Sequence, residues 1–212
     1  MTPKRLLLPL AAAVSLTLSG CAGTGGIGGF GVYSMVRPGK VVRVGDGAMS
    51  VVAPRAWNET NRNGFTDIRY VEDWTLNGPY LDGITFVSGL PDDRRIIRQE
   101  RKADRQVPKF RANMTAPEVA AMLETLYRVE GGTVDWRTLA LVPRPFMGYP
   151  GFQLDYEHLD GDELWRKGRA VGAVIDGRLY LILLDAARSH YFASALPDFE
   201  ALVASAQLRR RV

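Results

Sequence analysis

The 212-residue sequence predicts one α+β domain, an antiparallel sheet flanked by helices, carried behind a flexible N-terminal tether. Three observations predict it. Apolar runs over 149–159, 163–175 and 178–187 are punctuated by Asp160-Gly161 and Asp176-Gly177. Asp-Gly between such runs is a strong hairpin signal, because both residues accept positive φ. Helical spacing brackets this meander, over 114–132 before it and 196–208 after it. The chain also opens on a short apolar run followed by dense glycine, which behaves as flexible coil.

Taken in order, Lys4 and Arg5 precede a mostly apolar run from Leu6 to Leu18. That run falls short of the roughly 20 residues needed to span a bilayer and has the layout of a secretory signal. Residues 1–20 are therefore expected to be removed, 21–47 to form the tether, 48–208 the domain, and 209–212 a basic tail. Glycines at 23, 25, 26, 28 and 31 satisfy a dinucleotide-loop spacing twice. That motif needs a preceding strand and a following helix whose N-terminus holds the phosphates, and such glycine density opposes a helix. The glycines read as slack, not as a cofactor loop.

Within the domain, Ala48 to Pro54 is β-rich and reads as a strand, and the Pro/Asn/Gly-punctuated stretch after it as a loop. Strands are also expected over Asp67–Leu76 and Leu81–Leu90, the second with Ile84, Phe86 and Ser88 on one side. Thr115 and Glu118 form a capping box, with Pro117 in the first turn. Val119, Met122, Leu123, Leu126 and Tyr127 then make one apolar face, and Gly131-Gly132 ends the helix. A strand over Thr133–Val142 leads into the meander, where Phe152, Leu154, Tyr156 and His158 share one side. Gln153, Asp155 and Glu157 are expected to face water. The closing helix over Leu196–Leu208 presents Phe199, Leu202, Val203 and Ala206.

Composition narrows the function. Loss of Lys4 and Arg5 with the signal leaves 25 basic against 23 acidic residues, a net charge of +2. A nucleic-acid footprint must be clustered as well as positive, so no nucleic-acid partner is expected. One cysteine in the whole chain excludes a disulfide framework or a cysteine-rich metal site. The two histidines show no metal-ligand spacing, and neither a serine-hydrolase elbow nor a phosphate loop occurs. No metal, cofactor or catalytic residue is assigned. The basic stretch 92–111 holds Arg94, Arg95, Arg98, Arg101, Lys102 and Arg105 among four acids. Interleaved charge reads first as a solvated surface, and alternatively as a patch facing anionic lipid or an acidic partner.

Leu18-Ser19-Gly20-Cys21 resembles the lipobox of bacterial lipoproteins. The resemblance implies cleavage before Cys21, a diacylglycerol on its thiol and an acyl chain on its new N-terminus. Ala22 stands where many inner-membrane lipoproteins of Gram-negative bacteria carry aspartate, which implies an outer-membrane anchor facing the periplasm. From Ala48 onward the order of elements resembles the PsbP-like superfamily, which includes a Ran-binding transport factor and DcrB-like lipoproteins. The likeness is carried by "APRAW" (53–57), the helix after Thr115, the meander over 148–186 and the helix over 199–208. It implies an αβα sandwich in a protein that binds or assembles and does not catalyse. The expected function is thus a lipid-anchored envelope protein acting as a binding or assembly accessory for another envelope protein. Two alternatives stay open: a periplasmic hydrolase using His158 or His190 with a nearby carboxylate, and a carrier of lipid or small molecules.

Overall fold

A computed structural model describes residues 32–61, 68–99 and 105–209. Among these residues, eleven strands and two helices follow in the order β1 (Tyr33–Val36), β2 (Val41–Val44), β3 (Met49–Val52), β4 (Trp57–Thr60), β5 (Val71–Thr75), β6 (Asp82–Leu90), α1 (Ala116–Glu130), β7 (Asp135–Pro143), β8 (Phe152–Leu159), β9 (Trp165–Ile175), β10 (Arg178–Ala187), α2 (Tyr191–Ser205) and β11 (Gln207–Leu208). Eight strands form one antiparallel sheet in the order β1-β4-β5-β6-β10-β9-β8-β7, and β11-β3-β2 form a small second sheet. No helix among the described residues is long and apolar enough to cross a membrane.

The meander holds as expected. Asp176 and Gly177 both take positive φ and close β9 onto β10, whose bounds match the expected run. The β8–β9 connection is longer than a two-residue turn. Asp160 Oδ1 accepts the backbone N–H groups of Asp162 and Leu164, and Glu163 takes positive φ. β10 lies between β6 and β9 with every residue from Leu179 to Ala187 buried. A strand covered on both faces reads as an unbroken apolar run because neither face meets water.

Each face of the sheet carries its own core. On one side Val87, Leu154, Ala170, Leu181 and Leu183 pack with Val119, Met122 and Leu123 of α1. On the other, Ile84, Phe86, Val171, Ile182 and Leu184 pack with Phe192, Phe199 and Leu202 of α2, joined by Met49 and Val51 of the small sheet. Glu118 accepts both the backbone N–H and the hydroxyl of Thr115, so the expected capping box opens α1. Gln153, Asp155 and Glu157 do not simply face water. They lie on the α2 side, where Arg169 joins Asp155 to Glu200 of α2, and Arg144 bonds both Glu200 and Gln153. Burial raises the Glu200 carboxyl, yet the hydrogen bonds from Arg144 and Arg169 outweigh it and hold the group below its usual value.

Three expectations need correcting. The segment assigned to tether as far as Gly47 contains β1 and β2, and β1 pairs with β4 across the residues expected to be loop. Buried Val36, Val44 and Trp57 anchor these short strands, each only four residues long and so too short to show alternation. α2 starts at Tyr191 and not at Leu196, with Pro197 inside it and β11 following it. Its buried stripe, Phe192, Ala195, Phe199, Leu202 and Val203, continues through the proline at helical spacing. That burial outweighs the roughly 3 kcal/mol a helix-interior proline costs. Phe199→Ala removes a ring with no exposed surface and should destabilise the domain by about 3–5 kcal/mol in urea unfolding.

Candidate functional site

A cleft of about 570 Å³ opens at one end of the large sheet. Its walls come from β1 and β4 (Tyr33, Thr60), the β5–β6 region (Trp74, Pro79, Tyr80, Gly83), the C-terminal end of α1 (Tyr127, Glu130) and the β8–β9 connection (Asp160, Asp162). His158, Arg166 and Asp185 form its floor.

The register explains why these side chains meet. Tyr156 of β8, Gly168 of β9 and Asp185 of β10 lie side by side, and His158 is opposite Arg166 one step further along. Alternation puts all of them on the α1 side of the sheet. Gly168 makes the row possible: a Cβ at that position would fall inside the Tyr156 ring. Without it, the phenol crosses β9 and places its oxygen 3.2 Å from Asp185 Oδ2.

Asp185 is the hub. Arg166 Nε donates to its Oδ1, while His158 Nε2 donates to Oδ2 from 2.9 Å. A carboxylate only accepts, so the Nε2 of His158 carries a proton, and its Nδ1 lies 3.1 Å from the Thr133 hydroxyl. Tyr156 has one proton to give and Asp185 claims it; Tyr127, 2.9 Å away, must therefore donate to the Tyr156 oxygen. Burial pushes the Asp185 carboxyl up, but the hydrogen bond from His158 and the charge of Arg166 outweigh it and leave the group below its usual value. Burial and, next for Tyr127, the Asp185 charge lift both phenols well above theirs, so they remain donors. Trp136 stacks on Tyr156 with ring centroids 4.4 Å apart, and Tyr127 packs on His158 at 4.8 Å, so aromatic rings cover the network on the α1 side.

Of the candidate residues from the sequence, His158 meets a carboxylate on the cleft floor, and the others lie elsewhere. His158 stays on the face it shares with Phe152, and its carboxylate partner is Asp185, not the adjacent Asp155 or Glu157. His190 occupies the N-cap position of α2 on the surface, edge-on to Tyr191. Of the basic stretch, Arg101 and Lys102 lie outside the described residues, as does Cys21. Arg94, Arg98 and Arg105 are exposed. Arg95 turns inward and donates to the Val107 carbonyl and Gln106 Oε1, tying the segment to itself. Asp93 takes Lys109 and Arg111. Asp185 was missed, although one carboxylate in the otherwise apolar run "RLYLILLDAA" is a flag: a buried charge demands partners. Among the described residues, no group of three or more His, Cys, Asp or Glu side chains is placed to hold a metal ion.

No family model matches the chain, and no curated protein sequence does. Among solved structures it is similar to a cyanobacterial PsbP, CyanoP from Synechocystis sp. PCC 6803, at 18% identity and a TM-score of 0.53, covering 88% of this chain and 99% of that one. It is also similar to the Ran-binding protein Mog1p of Saccharomyces cerevisiae, at 13% identity and 0.49, over 82% and 96%. LpqN, involved in cell envelope biogenesis of Mycobacterium tuberculosis, is similar at 8% and 0.36, over 84% and 91%. The fold is PsbP-like; at these identities the likeness extends to the fold alone.

Two measurements test the network. Gly168→Ala should cost about 1–3 kcal/mol, as overpacking does. Adding Tyr156→Ala to it should cost less than the two single changes together, because the clash disappears with the ring. The second concerns pH. Asp185 faces Arg166, His158, Tyr156 and Tyr127, and its folded-state carboxyl titrates below the unfolded one. Its stabilisation is therefore complete above about pH 4 and is lost as pH falls through the folded value. The gap in thermal midpoint between wild type and Asp185→Asn should be widest between about pH 5 and 7 and narrow below about pH 4.

Proposed function

We propose that the chain is a lipid-anchored cell-envelope protein whose PsbP-like domain acts as a non-catalytic binding module, with the cleft as its binding face. The observation that carries the reading is the closed hydrogen-bonding of the cleft floor. His158 is 2% exposed with both ring nitrogens engaged, and Asp185 is shared among His158, Tyr156 and Arg166. A general base needs a free nitrogen within reach of a substrate proton. Here the groups that would do chemistry hold one another, while Tyr33, Pro79, Tyr80, Glu130 and Asp162 in the walls above them are exposed and varied, as a recognition surface requires.

The rival hydrolase reading draws on the same atoms, since Thr133, His158 and Asp185 follow one another as nucleophile, base and orienting acid do. Two features weigh against it. The Thr133 residue is 6% exposed and is not among those lining the cleft. Arg166 also competes with His158 for Asp185, which weakens the carboxylate as a support for an imidazolium. Thr133→Val should leave any slow turnover of ester probes unchanged; a loss of turnover with the fold intact would favour the hydrolase.

The membrane assignment rests on the lipobox-like Leu18-Ser19-Gly20-Cys21 and the signal-like run before it. Outer-membrane residence facing the periplasm is proposed from Ala22. Exposed Arg94, Arg98 and Arg105 are proposed, with Arg101 and Lys102, as an auxiliary basic surface toward anionic headgroups or an acidic partner. Cys21→Ser should move the protein from the membrane to the soluble fraction and abolish labelling by a palmitate analogue in a bacterial host. Retention at the membrane without label would overturn the anchor.

A further inference from the structure

We infer that the cleft docks a cationic segment of a protein partner, one bearing lysine or arginine beside an aliphatic or aromatic residue, and that Tyr80 is its principal anchor. The inference rests on the cleft being the binding face proposed above. Tyr80 is 78% exposed, the most exposed large hydrophobic side chain among the described residues. A single exposed ring is ordinary, but this one is held out by a built support. Asp82, 1% exposed, sits at the foot of its loop and accepts from the Thr75 hydroxyl, the backbone N–H groups of Leu76 and Asn77, and the Asn77 amide. Gly78 takes φ of +104°, and its carbonyl accepts from Leu81 and Asp82. Pro79 fixes its own φ. From the cleft floor, Arg166 Nη1 donates to the Tyr80 carbonyl at 2.7 Å. A buried carboxylate and a buried guanidinium thus fix the backbone of a loop whose aromatic side chain remains largely exposed. Rigid, pre-positioned aromatic side chains are what dominate protein interfaces.

Charge selects the occupant. The full chain carries a net charge of +4, yet six of the side chains lining the cleft are carboxylates and one is a guanidinium. Asp82 and Asp185 lie at the base; nearer the opening, Asp73 accepts from the Thr85 hydroxyl, Glu130 from the Gln99 amide and Asp160 from its own turn, and Glu130 and Asp162 are exposed there. Tyr33, 43% exposed on edge strand β1, lines the same cleft. An aromatic surface ringed by acids attracts a cation and its apolar stem together, through the ring face and the surrounding field.

The test pans short random peptides displayed on phage against the full chain in detergent, with Tyr80→Ala as counter-target. The enriched consensus should carry lysine or arginine with an aliphatic or aromatic neighbour. A synthetic consensus peptide should bind wild type about tenfold more tightly than Tyr80→Ala. Glu130→Gln with Asp162→Asn should weaken it by about threefold, and added salt should weaken it further. Both sites are exposed, so these variants keep the fold, which circular dichroism checks. A neutral or acidic consensus that still depends on Tyr80 would overturn the cationic partner while leaving the cleft as a binding face. Absence of any consensus, or a peptide indifferent to Tyr80→Ala, would overturn both. Binding of spermidine alone, dependent on Tyr80 and unmatched by any peptide, would replace the protein partner with a small polyamine.

Discussion

A carboxylate buried in the central strand of a two-faced sheet sets the terms for this end of the molecule. Asp185 stands on β10, which has no exposed residue from Leu179 to Ala187. An unpaired charge there costs several kcal/mol, so its neighbours are constrained to be donors. Arg166 and His158 supply two, and Tyr156 reaches across β9 only because position 168 is glycine. Tyr127 and Trp136 pack over Tyr156 and His158 on the α1 side. One acidic residue therefore accounts for a glycine, an arginine, a histidine and two tyrosines on two strands and a helix.

The other face of the sheet solves the same problem with more solvent. Asp155, Arg169, Glu200 and Arg144 link β8 and β9 to α2, and the Arg169 and Glu200 side chains keep about a quarter to a third of their surface. Ion pairs of that exposure contribute little each. Their use is positional, fixing how α2 lies over a core that Phe199 and Leu202 hold by burial. The fold thus has an ion-pair network on each face, one wet and orienting a helix, the other dry and flooring a cleft.

How legible this was in the sequence depended on the range of the signals. The meander and α1 were readable because Asp176-Gly177 and the Thr115–Glu118 box act within a few residues. β1, β2 and β4 were not, since each is four residues long, and β1 and β4 are specified by partners far along the chain: Val36 faces Trp57, and Asn58 pairs with Thr75. The closing helix was expected from Leu196, but the buried stripe that begins at Phe192 and runs to Val203 carries it back to Tyr191 in the folded chain. At the site, His158 was correctly placed on the inward face, but its partner lies 27 residues away on a non-adjacent strand. Spacing along one strand carries no information about that register. The arginine-rich stretch looked uniform in sequence, yet Arg95 is a latch and Arg94 is surface.

Why retain a buried ion pair where an apolar pair would pack as well? Such a pair is a poor source of stability compared with hydrophobic residues of equal volume, so Arg166 and Asp185 need a geometric explanation. Apolar side chains fill space without direction, whereas a guanidinium donates along fixed vectors in one plane. Arg166 spends one side of that plane on Asp185 and the other on the Tyr80 carbonyl. The strand interior is thereby tied to an exposed loop by directed bonds, and Asp82 ties the same loop from its opposite end. Replacing Arg166 with leucine would fill the floor but leave the Tyr80 backbone free to drift, and would strand Asp185 with fewer donors. The charge pair is best understood as the mount of a recognition loop, with stability supplied by the two cores on either side of the sheet.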